Sequence, residues 1–308
     1  MVPLRENNKV KSIPLKLSIG TLVFGATIWI SSSLLDLTSV FSAFLKLRPE
    51  TAIIIFLLGA ISWLLRGLRT WVLFERFSLA EAFGISFLHN AANNLAPMRL
   101  GELALPALAR WIGRVDFSVA LTNLIWIRLL DFISLIGISL CIVMASSLGV
   151  IVFALLATFV FLTPLLLSIA VPKMQYLNLP SILEQSRTQL IYETQNGRRL
   201  ERIWRLTILS WITKLMGMMM MLSTLSGIPI TKTITMILGA ELSSILPIHG
   251  LAGAGTYEAG GVIGSTFMGI LPATGLALTL QLHIYVLSLT AVFGILGFLL
   301  LLKRTLNG

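Results

Sequence analysis

Apolar runs and the short polar stretches between them divide this chain into membrane spans and interruptions. An apolar run from about Leu17 to Leu35 predicts a first span that ends at Asp36. The segment from Leu37 to Glu50, carrying Lys46 and Arg48 against Asp36 and Glu50, reads as a connection, and Pro49 starts the next helix. That second span runs from about Thr51 and ends in Arg66, Arg69 and Arg76, whose guanidinium groups either snorkel to the interface or, for the first two, turn inward. Further runs over Val119–Ser147, Leu148–Val171, Leu206–Ser226 and Ala273–Leu302 approach or exceed the roughly 20 residues needed to cross hydrocarbon.

Two regions break this pattern. Between Ala80 and Arg114 an apolar arm leads to His89, Asn90, Asn93 and Asn94, then to Pro97, Arg99, Gly101 and Glu102, and a second short arm follows. Neither arm is long enough to span, and both flanks carry arginine, so the region is expected to be a re-entrant helical hairpin entering from the cytoplasmic side. Thr231 to Gly269 repeats the grammar with Glu241, Pro247, His249, Gly250, Gly253, Gly255, Tyr257 and Glu258. It carries no arginine, so it is expected to enter from outside. A bilayer has no water for freed backbone groups, so broken, charged segments persist at depth only where protein surrounds them or they line a wet cavity. Interrupted segments at matching places in two halves mark a transporter-type binding site.

The expected fold class is therefore an all-α polytopic membrane protein, with about six transmembrane helices plus two re-entrant helical hairpins in an inverted repeat. It forms one domain, with approximate halves 17–147 and 148–304 and a cytoplasmic amphipathic loop over 172–205. Composition agrees: 56% of the 308 residues are hydrophobic and only 12% are charged, where a soluble domain carries about 25%. Mean hydropathy is +0.91. The net charge of +10 is explained by basic residues gathering in cytoplasmic loops rather than by nucleic acid, because no compact basic patch is interleaved with aromatics. Both termini are expected in the cytoplasm. The N-terminal apolar run exceeds a signal-peptide core of roughly 7–15 residues and no small-residue cleavage site follows, so it reads as an uncleaved span.

Charge at depth supplies the candidate chemistry. Each such residue costs at least about 2.5 kcal/mol at a helix centre, so unpaired ones are rare. Arg128 and Asp131, three residues apart, read as an internal ion pair. Lys214 has no acid in its own span, leaving Glu241, Glu258 or Asp131 as partners. Arg99 and Glu102 either pair with each other or sit beside a helix start where backbone N–H groups and the guanidinium favour a phosphate. The three histidines, His89, His249 and His283, are far apart and fit no metal motif, and each reads as a buried, hydrogen-bonded imidazole. Cys141 is the single cysteine, so no disulfide is available. No Walker lysine accompanies Gly253 and Gly255. No catalytic group, metal or other cofactor is expected. Gly217, Gly294 and Gly297 suit helix contacts within or between protomers.

The run Pro97-Met98-Arg99-Leu100-Gly101-Glu102, the Arg128–Asp131 segment and the region from Pro247 to Glu258 resemble the lysylphosphatidylglycerol synthase transmembrane region family, also called flippase-like integral membrane proteins. The resemblance covers about Leu17 to Arg304 and is most specific at the first element. It implies a prokaryotic cytoplasmic-membrane protein with re-entrant helices, linked to movement of aminoacylated phospholipids and, in other members, to polyprenyl-lipid or hopanoid pathways. The matching positions are Pro97, Arg99, Gly101, Glu102, Arg128, Asp131, Pro247, Gly253, Gly255 and Glu258. The late motif departs from the family's proline, two glycines and glutamate, reading Pro247-Ile248-His249-Gly250 before a longer glycine-alanine stretch. Four residues follow Arg304, too few for an aminoacyl-transferring domain, so the chain is not expected to make lysyl-lipid.

The leading expectation is a lipid translocase whose partner is a polar-headgroup membrane lipid. Arg99 would hold phosphate; Glu102 and Glu258 would bind cationic headgroup parts or hold Arg99 and Lys214. The alternatives are a non-transporting scaffold for lipid-biosynthesis enzymes, or an intramembrane transferase using Glu102 or Glu258 as base.

Overall fold

The computed structural model describes residues 7–149, 151–176, 181–245 and 250–307, and among them the chain is helical, with no strand. The helices are α1 Asn7–Leu34, α2 Leu37–Leu45, α3 Pro49–Leu73, α4 Leu79–Leu95, α5 Ala104–Gly113, α6 Phe117–Leu148, α7 Ile151–Ala170, α8 Ser181–Gln195, α9 Gly197–Ser226, α10 Ile230–Ser243, α11 Thr256–Thr266 and α12 Pro272–Asn307. By length and composition α3, α6, α9 and α12 are able to cross a membrane, and α1 with α2 makes a fifth if that pair, bent by 84°, counts as one span. The apolar stretch Ala154–Ala170 of α7 is shorter. Among the described residues four spans are clear, or five with the bent pair, and the sequence pattern suggests six.

Residues 37–45, read as part of a connection, form helix α2. Asp36 is the reason: its carboxylate accepts from the Thr38 N–H and caps the new helix after the bend. Similarly, 197–205, read as the end of a loop, begins α9. Asn196 caps it by accepting from the Arg199 N–H.

The two hairpins enter from opposite ends of the bundle. Arm α4 begins beside the end of α12, where Gly84 lies against Leu301, and α5 ends where Gly113 meets Phe77. Arg199, at the start of α9, donates to the Leu73 carbonyl at the end of α3. That end thus gathers the finish of α3, α5 and α12 and the start of α4 and α9, together with Arg76, Arg110, Arg114, Arg198, Arg202 and Lys303. The second hairpin, α10 and α11, hangs from the other end, between the finish of α9 and the start of α12. Packing follows a two-fold pattern: α3 lies on α9, α4 on α12 as α10 on α6, α3 on α4 as α9 on α10, and α5 on α6 as α11 on α12.

Small residues permit this. A Cβ on Gly239 would lie 2.1 Å from the Gly260 carbonyl oxygen, so the arms of the second hairpin touch through backbone. Gly217, Gly294 and Gly297 meet Tyr285, Ala91 and Phe87, which places their contacts within the protomer. Trp63, Phe87 and Phe293 pack face and edge between α3, α4 and α12, with Trp63 and Phe293 stacked at 5.2 Å.

Candidate functional site

The hairpin tips meet in the middle of the bundle. After α4 the chain turns at Pro97 into a 3-10 turn, Pro97–Leu103, in which Met98 and Arg99 adopt left-handed backbone angles (φ 52° and 57°). Gly101 lies against α4 so closely that a Cβ would stand 2.1 Å from the Ala92 carbonyl oxygen. The second tip has the same character: Ala252 at φ 56° and Gly255 at φ 93°, just before α11. Left-handed, non-glycine backbone of this kind is uncommon and concentrates at sites. The tips touch through Arg99, whose Nη1 donates to the Ile245 carbonyl at 2.9 Å.

Behind the tips is a network of charge. Asp131 sits about 21 Å along α6 from its first residue, at roughly 1.5 Å rise per residue. It is buried and receives Arg69 through both nitrogens, at 2.6 and 3.3 Å, as well as the Trp211 indole N–H at 3.0 Å. Arg66 and Arg128 lie 3.8 and 3.7 Å from the same carboxylate. Arg128 instead directs its closer contacts to Glu102, with Nε at 2.9 Å and Nη2 at 2.8 Å. Arg99 reaches the other Glu102 oxygen at 3.0 Å. With its amide turned to suit its neighbours, Asn93 donates to Glu102 and accepts from Arg128. On the other side Lys214 meets Glu241 at 2.6 Å and lies over the Trp211 ring, which Arg66 also covers.

These groups surround a cavity of about 390 Å³, walled by Arg66, Arg99, Arg128 and Lys214 against Asp131 and Glu241. Counting Arg69 and Glu102 directly behind the wall, five cations face three carboxylates, an excess of two positive charges among the described residues. Ile125, Leu129 and Phe132 complete one side, and all three are exposed on the flank of α6. That wall of the cavity is thus formed by apolar residues on the exposed flank of a helix long enough to cross a membrane. A smaller adjoining space, also lined by Asn93, Asn94, Lys214, Glu241 and Ser244, extends to Tyr257 and His283 of the second half.

Glu258 is set back from both. Its Oε2 accepts the Gly255 N–H at 2.7 Å, closing the first turn of α11, and its Oε1 lies 2.5 Å from His283 Nδ1. The far ring nitrogen of His283 faces the Ala252 carbonyl at 2.6 Å and so carries a hydrogen.

A family model described as the lysylphosphatidylglycerol synthase TM region matches residues 17–294. The chain belongs to that family. Searches of curated proteins and of solved structures returned no match. Among the described residues of this family member, Arg99, Glu102, Arg128, Asp131, Lys214 and Glu241 are brought together, Tyr257 lines the adjoining space, and Glu258 stands back from both. Arg66 and Arg69, which end a span in the sequence pattern, turn inward and neutralise Asp131; polar Ser62 and Thr70 on the same buried face were the available signal. Arg128 pairs chiefly with Glu102 rather than with its helix neighbour, because the guanidinium reaches the tip of the first hairpin. Glu258 serves His283 and the α11 start instead of Arg99 or Lys214, and Lys214 takes Glu241. His283 is the buried, hydrogen-bonded imidazole the sequence suggests, and it joins the site through Glu258, whereas Trp211 enters unannounced. Pro247 and His249 lie outside the described residues. Gly250 closes the second tip, its N–H donating to the Ala254 carbonyl.

Proposed function

We propose that the chain is a lipid translocase, receiving a polar headgroup in the central cavity while the tails remain in the bilayer. The observation that carries this reading is a cavity with surplus positive charge, one wall of which is the exposed apolar flank of α6; we read that wall as a mouth toward the acyl chains. Buried uncompensated charge is costly, so a phosphate is the natural occupant, and a water-soluble solute would not need a mouth of Ile125, Leu129 and Phe132. Arg99, half-buried and presented by a left-handed turn, and Lys214 meet the phosphate; arginine suits its oxygens in pairs. A cationic substituent, as on an aminoacylated headgroup, meets Glu241. Headgroups of the aminoacylated-phospholipid, polyprenyl-phosphate or hopanoid classes fall within this reading. Exposure alternates as one half rocks against the other about the touching tips. The chain works without hydrolysing ATP and is not an enzyme. It sits in a prokaryotic cytoplasmic membrane with the basic end inward, which sets both termini in the cytoplasm.

The test is a headgroup-accessibility assay in proteoliposomes. Arg99→Ala and Lys214→Met are expected to slow the appearance of headgroup on the far leaflet by at least about tenfold, the effect of a lost charged hydrogen bond of roughly 1.5–3 kcal/mol. Rates equal to wild type in both variants, with folding intact, would remove the site and favour the alternative, a scaffold for lipid-synthesis enzymes.

A further inference from the structure

A second basic site lies at the end of the bundle, away from the central cavity. There the last turn of α3 and the first turns of α9 enclose a groove of about 410 Å³, with Trp71, Glu75, Asn196, Arg198, Arg199 and Arg202 in its walls. Three guanidinium groups face one carboxylate in the wall, and a second, Glu193, lies buried behind Arg199. Glu75 is 71% exposed at its side chain and stands 3.5 Å from Arg199, an open pair that water screens and an anion displaces. Arg199 differs from its neighbours: its side chain is only 10% exposed, held by the Leu73 carbonyl and by Glu193, and its Nε is buried with no hydrogen-bond partner. Arg198 and Arg202 are exposed at the wall of the groove.

The level of this groove selects the ligand. It sits where two membrane-crossing helices, Pro49–Leu73 and Gly197–Ser226, leave the apolar layer. Trp71 is 44% and Tyr192 54% exposed beside it, amphipathic rings of the kind found at the depth of lipid headgroups, and Arg199 lies over the Tyr192 ring. We infer that this groove binds the phosphate of a net-anionic phospholipid as a resident lipid, clamping the end of α3 to the start of α9. The site is separate from the translocation cavity and does not depend on that reading. Paired guanidinium groups take the phosphodiester oxygens, Trp71 takes the glycerol region, and zwitterionic lipids are disfavoured because three arginines leave no acidic partner for a choline beyond mobile Glu75.

The full chain, purified in neutral detergent, is tested by native mass spectrometry and thermal unfolding after addition of phosphatidylglycerol, phosphatidylcholine, or water-soluble glycerol phosphate. Phosphatidylglycerol is expected to remain bound and raise the Tm, and the Arg198→Gln/Arg202→Gln pair is expected to weaken its retention roughly 30-fold, about fivefold for each basic residue near the headgroup. Arg205→Gln is the control, since Arg205 is exposed on the same helix and paired with Glu201. Equal retention of phosphatidylcholine, or undiminished retention of phosphatidylglycerol in the paired variant, overturns the site. Protection by glycerol phosphate equal to that by the lipid shows a free-phosphate site and overturns the lipid assignment. Because both substituted residues are exposed, a misfolded variant is not expected; Arg199→Lys, which keeps the charge but loses the fork, gives an independent loss of retention.

Discussion

Asp131 takes both nitrogens of Arg69 and the indole of Trp211 at the centre of the molecule. Its removal leaves Arg66 and Arg69 buried without a counter-charge, so Asp131→Asn is expected to cost about 3–5 kcal/mol, read as denaturant unfolding in mild detergent. A variant as stable as wild type would mean that the two arginines reach water or another acid. Glu193 behaves differently, being buried on α8 outside the spans. Burial pushes its carboxyl above the ordinary value, against the opposing attraction of Arg199 and the hydrogen bond from Gln189, and its second oxygen has no partner. An acid whose folded value is raised binds its proton more tightly in the fold. Its contribution is therefore fully present below the unfolded value and is lost as pH rises through the folded one. Glu193→Gln keeps the acceptor for Gln189 and carries no charge. Its Tm relative to wild type is expected to improve as pH rises from below the carboxylate range to neutrality; a pH-independent difference would refute the buried-acid account.

At the scale of the element, the first hairpin depends on one backbone approach. At Gly101 any side chain meets the Ala92 carbonyl, which is part of the α4 backbone and has nowhere to move. Gly101→Ala is expected to destabilise by about 1–3 kcal/mol and to abolish headgroup movement, because the tip that presents Arg99 shifts. Gly25→Ala in α1 has open space around it and is expected to leave both properties unchanged. Transport in Gly101→Ala at the wild-type rate would mean that the tip geometry is not part of the mechanism. The hairpin arms themselves were readable. Each arm was too short to span, and the structure adds a reciprocal cap of Ser78 and Glu81 at the α4 start. Helix α2 was not readable as such, since its one strong marker, Asp36, also suits the end of a span.

For the molecule as a whole, the two-fold packing pattern makes a prediction about sidedness. In a Cys141→Ser background, single cysteines replacing Arg110 and Arg205 at the basic end are expected to react with an impermeant thiol reagent from one face of the membrane. Replacements of the exposed Phe267 and Leu271, between α11 and α12, are expected to react from the other. Retention of basic residues in the cytoplasm makes the inner face the expected side for the first pair. Labelling of all four from one face would contradict hairpins inserted from opposite ends.

The sequence by itself determined the membrane class, the helical architecture and the two interrupted segments, because hydropathy and the Pro/Gly breaks act locally: a run of apolar residues must be helical in hydrocarbon, and a charged break must find shelter. It also named nearly every charged residue that lines the cavity. Only the tertiary structure decided the pairing. The sequence offered Asp131 its helix neighbour Arg128 or Lys214, and the fold gives it Arg69; Lys214 had three acids and takes Glu241, and which pair forms depends on distances of a few ångströms between helices far apart in the chain. The surplus of two positive charges, and with it the case for a phosphate, exists only after those partners are assigned, since a charge becomes available to a ligand when the packed helices leave it without a full counter-charge.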